Sequence, residues 1–284
     1  MSATAERTPR LSAGTRRRLV HGGLITVTFA YVGVLVVAPL IGIAVAALKP
    51  GLSAWRTVFD DPFARHAYVL TGYITAEALL VTTVMGVVVS LVLSRDRFPG
   101  KAVVSALVDL PLAVSPVVVG LAAVLLFGLG GWFEPWFAAR DIQILFAVPS
   151  MVLVTIFISI PFVIREVAPL LQELGAEEEQ AARTLGASQL QTFFRITLPN
   201  IRWGLLYGIA LSTARAIGEV GAVLIVSGTI AGQTETSTLY ILRAFDEGQD
   251  TSGYVVALTL AMVSIVMLFG IEFFRRRQDK GHSA

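Results

Sequence analysis

The chain has 284 residues, 55% of them hydrophobic and only 15% charged, with a mean hydropathy of +0.74 and a formal net charge of +2. Soluble domains carry roughly 25% charged residues, so this composition excludes an ordinary water-soluble protein. There is no cysteine, which removes disulfides, thiol nucleophiles and cysteine metal sites.

The first segment, Met1–Arg18, is polar and expected to be a disordered tail, its Arg16-Arg17-Arg18 cluster meeting anionic lipid headgroups rather than nucleic acid. Six apolar blocks follow: Leu24–Leu48, Val69–Leu93, Ala102–Leu129, Ile144–Ile164, Leu205–Val226 and Tyr254–Ile271. Each is near the ~20 residues that cross ~30 Å of hydrocarbon as a helix. Backbone groups in lipid must be satisfied within the segment, which favours helices, and the alternating ten-residue pattern of a β-barrel is absent. The fold class is therefore an all-α integral membrane protein with six transmembrane helices. The first block is far longer than the ~7–15 residues of a cleavable signal and reads as a retained anchor.

Between the blocks, Lys49–Arg65 reads as a short structured outer connection, and Ser94–Lys101 as a tight basic turn joining an antiparallel pair. Pro111 and Pro116 interrupt the third block, and each tends to kink a helix. Such kinks shape a cavity or simply serve packing. Trp132 and Trp136 read as interfacial aromatics. The N-terminus, the second and fourth loops and the C-terminus together hold sixteen Lys and Arg, against five on the other side, and the positive-inside rule then places both termini in the cytoplasm. The expected organisation is one six-helix domain over 19–274, with a long polar loop at 165–202, between cytoplasmic tails 1–18 and 275–284.

That loop is the most informative stretch. Glu173, Glu177, Glu178 and Glu179 suit the first turn of a short helix, facing its positive dipole end. Ala181, Ala182 and Leu185 form a small apolar stripe, and Gly186 stands where a C-cap belongs. A second short helix carries Leu190, Phe193 and Phe194, with Pro199 marking a break before the fifth span. On the residues alone, this is either an amphipathic hairpin on the membrane surface or a docking element for a partner.

In the fifth block, Arg215 and Glu219 lie four apart on one helix face, and Asp109 and Glu77 are further candidate partners. Charges at mid-bilayer cost at least ~2.5–3.5 kcal/mol, so they face protein or water. They form either a buried network fixing helix register or a cationic way-station for an anion, with Glu219 restraining Arg215. Gly204, Gly208, Ser212 and Ala216 recur every fourth residue and read as a packing face. The chain lacks G-x-x-x-x-G-K-[ST], H-E-x-x-H and G-x-S-x-G; Ser115 and Ser227 have no histidine nearby, and His21, His66 and His282 are scattered. No catalytic residue, metal site or cofactor is expected. A membrane-embedded enzyme and a stand-alone anion carrier are the rival classes.

The spacing Gln180-Ala181-Ala182-x-x-x-Gly186, then nine residues, then Ile196-x-Leu198-Pro199, resembles the "EAA" loop of permease subunits in ABC importers. Gln180 stands where that pattern has Glu, keeping the length and losing the charge. The stretches Leu110–Gly120 and Ile160–Val167 resemble sulfate and molybdate permeases, and Leu198–Gly208 and Ala214–Gly228 resemble the sulfate/thiosulfate (CysW-type) permeases, with Val220 where an aromatic is usual. The resemblance implies the type I, binding-protein-dependent permease fold and a heterodimer with a sister permease. It also implies two copies of a cytoplasmic ATPase, an external sulfate-binding protein, and coupling to the ATPase through Glu179, Gln180, Ala181, Ala182, Leu185 and Gly186. A molybdate or tungstate permease is the alternative within transport.

Overall fold

A computed structural model describes residues 13–279, with side chains described for 21–273. The tail residues 1–12 and 280–284, and the side chains of Arg16, Arg17 and Arg18, lie outside that description. Every regular element among the described residues is helical. Helix α1 (Ala13–Val32) continues through a π-turn (Gly33–Val37) into α2 (Ala38–Leu48), so the last part of the expected disordered tail is helical. Arginine and leucine are good helix formers that extend the apolar helix toward its start.

The outer connection folds as α3 (Leu52–Asp60), and α4 (Pro62–Arg95) is a single 34-residue helix. Pro62 opens α4 and the Asp61 side chain accepts from the Phe63 N–H at 3.0 Å, so the start is both capped and sterically fixed. After α5 (Lys101–Ala113), α6 (Pro116–Phe127) and a short α7 (Glu134–Ala138), the chain enters α8 (Val148–Leu174). Then come α9 (Glu177–Thr184), α10 (Gln189–Thr192), a π-turn (Phe193–Thr197), α11 (Leu198–Ile217), α12 (Gly221–Val226), α13 (Ser237–Asp246) and α14 (Asp250–Asp279).

Among the described residues, four helical spans are long and apolar enough to cross a membrane by themselves: His21–Leu48, Pro62–Arg95, Val148–Leu174 and Asp250–Phe273. The third apolar block is a broken span, α5 and α6 meeting at a bend of 112°. The break falls at Val114 and Ser115, both extended. Proline restricts the residue before it to extended backbone, so Pro116 places the break, while Pro111 is carried inside α5. The fifth block is broken too: α11 ends at Ile217, and Gly218 to Val220 separate it from α12.

The two broken blocks pack on each other. A Cβ on Gly120 of α6 would lie 2.8 Å from Ile225 Cβ and 2.9 Å from the Ala222 carbonyl oxygen, so only glycine lets α12 approach this closely. Gly120→Ala is expected to destabilise the protein by about 1–3 kcal/mol through overpacking. Gly72→Ala, on open surface, serves as the control. A lowered thermal midpoint in detergent for the first and not the second would confirm the α6–α12 crossing; equal midpoints would reject it.

One core lies between α4, α8 and α11, where Val87, Val163, Val167, Leu171, Ile201 and Leu205 are buried together. The small-residue row of α11 faces α8 within this chain. Cβ atoms on Gly204 and Gly208 would lie 3.0 Å from Leu170 Cδ2 and Val163 Cα, and Ser212 Oγ donates to the Ser159 carbonyl at 3.1 Å. A second core joins α2, α3, α4, α13 and α14 through Ala47, Val58, Ala67, Tyr240 and Val255. Helices α4, α8 and α11 thus carry the loop between α8 and α11 at one end of the bundle and, along α4, reach α13 at the other.

Candidate functional site

Helix α8 runs ten residues further than its apolar block and stops at Gly175, at φ 69°. Arg165, expected at the start of the polar loop, therefore sits well inside α8. The loop proper is α9 and α10 around a glycine turn. Three glutamates occupy the first turn of α9, where the helix dipole favours them. At its other end the Gly186 N–H donates to the Arg183 carbonyl and the Ala187 N–H to the Ala182 carbonyl, both at 3.0 Å. With Gly186 at φ 90°, this is a Schellman cap, which satisfies the last carbonyls and reverses the chain. Ser188 and Gln191 then form a reciprocal capping box at the start of α10.

No break precedes α11. The chain stays helical from Gln189 through the π-turn to Ile217. Pro199 has no N–H to give to the Arg195 carbonyl and its ring crowds it, and the widened turn just before Leu198 makes that room.

The loop's side chains divide into two faces. Gln180 and Ala181 are exposed, Ala182 is half-buried, and Leu185, at 88% exposure, projects beside the bare Gly186. Leu190 and Phe194 extend the exposed apolar surface, and a cleft of about 330 Å³ runs between Ala182, Gly186, Gln191 and Arg195. Glu179 points the other way. Its Oε1 accepts from Arg95 Nη2 at 3.0 Å and from Thr197 Oγ1 at 2.9 Å. Glu178 Oε2 accepts from Asn200 Nδ2 at 2.8 Å.

The charges within the helices form separate pairs. Arg215 Nη1 lies 2.5 Å from Glu219 Oε2, and the carboxylate is almost fully buried. Glu219 Oε1 also accepts from the Ala222 N–H in the first turn of α12 at 2.8 Å, and its backbone carbonyl accepts from Thr238 Oγ1 at 2.8 Å. Asp109 is paired with Arg165 Nε at 2.9 Å, both half-exposed, and Glu77 accepts from the Tyr73 hydroxyl at 2.5 Å. The expected joining of Asp109 and Glu77 to Arg215 does not occur, because α5 and α4 present them to other neighbours. Among the described residues no three His, Asp or Glu side chains cluster to hold a metal.

Two arrangements escaped the sequence. Arg95 had figured only as a loop charge. Glu235 is fully buried and bidentate to Arg243, at 2.7 and 3.1 Å, with Glu247 on the guanidinium's remaining nitrogen. These hydrogen bonds hold the Arg243 guanidinium above its already high range, against the opposing effect of burial. Nearby, Tyr240 donates to Asp61 Oδ2 at 2.8 Å, and burial together with that carboxylate pushes its phenol up to about 12, so it remains a donor across the ordinary pH range. An i, i+8 pair formed between the residue ahead of the N-cap and the second turn of α13 carries no spacing signal in the sequence.

Residues 83–280 match the family described as binding-protein-dependent transport system inner membrane component. The chain belongs to this family. The permease is 44% identical over 252 residues to the sulfate transport system permease protein CysW of Synechococcus elongatus, covering 89% of this chain and 88% of the relative. It is 33% identical to the sulfate transport system permease protein CysT of Escherichia coli, covering 93% and 96%. A bacterial alginate ABC transporter, solved in complex with an alginate pentasaccharide-bound periplasmic protein, has the same fold, with a TM-score of 0.76 over 95% of this chain and 98% of that one at 19% identity. The permease is therefore a multi-pass inner-membrane transport subunit of an ABC importer, and it is not an enzyme.

Proposed function

We propose that this permease is one transmembrane half of an ATP-driven sulfate/thiosulfate importer. The observation that carries the reading is the α9–α10 turn: a short helix with an EAA-type register, its Gln180, Ala181, Leu185 and Gly186 exposed on a Schellman cap at the end of the bundle. The identity to CysW of Synechococcus elongatus over most of both chains supports the choice of cargo. The partners are a sister permease, two copies of a cytoplasmic ATPase and an external sulfate-binding protein. ATP binding closes the ATPase dimer, the Gln180–Gly186 segment moves with it, and the spans exchange their exposure; hydrolysis resets them.

In this reading the chain crosses six times, α5 with α6 and α11 with α12 each counting as one crossing, over a single domain at 19–274 with its coupling segment within 165–202. Both termini are cytoplasmic, in keeping with the excess of Lys and Arg on their side. Arg215 is the cationic contact for a dianion. Glu219 tethers it, so the anion meets a guanidinium already half-neutralised and leaves again. The Asp109–Arg165 pair, about nine residues or ~13 Å from the α9 end of α8, is covered by the sister permease or by water, since lipid would not tolerate it.

The test is uptake of labelled sulfate by proteoliposomes holding the permease, sister permease and ATPase, with binding protein outside and ATP inside. Uptake that needs both ATP and binding protein, and that thiosulfate inhibits more than molybdate does, supports the assignment. Uptake indifferent to ATP would make the chain a stand-alone carrier and overturn it.

A further inference from the structure

The inward face of the coupling turn has a built joint. Arg95, the last residue of α4, sends Nη1 to the Leu171 carbonyl of α8 at 2.8 Å and Nη2 to Glu179 Oε1 of α9 at 3.0 Å. The same Glu179 oxygen receives Thr197 Oγ1 from the π-turn that leads into α11. One guanidinium and one carboxylate thus connect four segments, and both side chains are largely buried, at 20% and 12% exposure. A planar fork with two donors in fixed geometry resists shear as well as separation.

Above the joint, α4 is continuous to Pro62 and pressed against α8. A Cβ on Gly86 would lie 2.6 Å from Val163 Cγ1. At its far end, α4 is tied to α13: Thr71 bonds with Ser237 through both the serine hydroxyl and its N–H, and Asp61 receives Tyr240. By contrast, α9 has no buried residue of its own. It holds to the bundle largely through Glu178 and Glu179, so a displacement of its exposed face passes through these two carboxylates.

We infer that Arg95 is a positioning residue for transport: its Arg95–Glu179–Thr197 joint passes the displacement of α9 to α4, and α4 delivers it to α13 at the opposite end of the bundle. The inference rests on the proposed function above and names the part through which that function is coupled. Gln180, lacking charge and exposed, serves the outward face; Glu179 serves the inward one.

The experiment measures ATP hydrolysis and sulfate uptake on the same proteoliposomes of the full complex and reads their ratio. Arg95→Met is expected to keep hydrolysis and lower uptake per ATP by roughly tenfold, the scale of one charge-assisted hydrogen bond. Arg95→Lys, which retains the charge and loses the fork, falls between. Thr197→Val, which keeps the shape and removes one donor, lowers the ratio less than Arg95→Met. The pairwise swap of Arg95→Glu with Glu179→Arg recovers part of the loss. A merely structural role would reduce the amount of assembled complex and leave the ratio alone, so an unchanged ratio in Arg95→Met overturns the inference. Absence of ATP-driven uptake in the unmodified complex instead overturns the proposed function, and this inference with it.

Discussion

Glu219→Ala is expected to lower the amount of intact permease in the membrane severely. The substitution removes in one step both the partner of the Arg215 guanidinium and the acceptor for the Ala222 N–H in the first turn of α12. Breaking a fully buried ion pair from one side costs about 3–5 kcal/mol, and because the Arg215 guanidinium left behind is 28% exposed and keeps some water, the loss falls toward the lower end of that range. Most proteins have a margin of only ~5–15 kcal/mol in all, so a loss of this size shows in accumulation as well as in melting. Glu219→Gln retains an oxygen for the Ala222 N–H and gives up the charge, and its effect is expected to be smaller. Combining Glu219→Gln with Arg215→Met removes both charges and should recover stability relative to Glu219→Ala. The recovery, read as a thermal midpoint in detergent, measures how far the pair holds the break between α11 and α12 in place. Accumulation of Glu219→Ala at the level of the parent would show that it does not.

Gly186→Leu should behave in the opposite manner, leaving the permease assembled and abolishing ATP-dependent uptake. At φ 90° the backbone is in the left-handed region, which costs a residue with a Cβ about 1–2 kcal/mol. The local answer is to release the turn, and with it the bonds from Gly186 to Arg183 and from Ala187 to Ala182. Among the described residues, nothing apart from its chain neighbours lies within 4 Å of the added Cβ, so the disturbance stays in the α9–α10 turn and the core of α4, α8 and α11 is untouched. Gly186→Asn, better able to adopt this conformation, is expected to retain part of the uptake. Normal uptake in the leucine variant would remove the turn from the coupling role.

Where local chemistry decides the outcome, the sequence was legible. Gly186 marked a left-handed turn, the glutamates of α9 marked a helix start, and the proline-bearing third block announced a break. Which proline would break the helix was harder. Pro111 and Pro116 lie five apart, and only the extended backbone at Ser115 shows that the second dominates. Hydropathy misplaced the loop boundary because α8 continues past its apolar residues, carrying Arg165 with it. The charges were recognised but paired only in part. Spacing along one helix found Arg215 with Glu219, whereas Asp109 with Arg165 and Arg95 with Glu179 bring together residues 56 and 84 positions apart, and only tertiary packing selects such partners. The expected break at Pro199 did not occur because the turn ahead of it could widen, a solution that leaves no trace in residue spacing.

The two broken helices have a consequence for how the protein is made. Pro116 offers no N–H to the Leu112 carbonyl, and Ser115 and Gly218 are exposed on this chain's own surface. Irregular backbone at membrane depth is tolerated only where protein or enclosed water satisfies it. With the six crossings proposed above, a newly inserted copy standing alone would turn these breaks toward lipid tails, and would be an incomplete object as far as the bilayer is concerned. Its lifetime before assembly then depends on how soon another surface covers the breaks, which ties the supply of this chain to the supply of whatever closes over it.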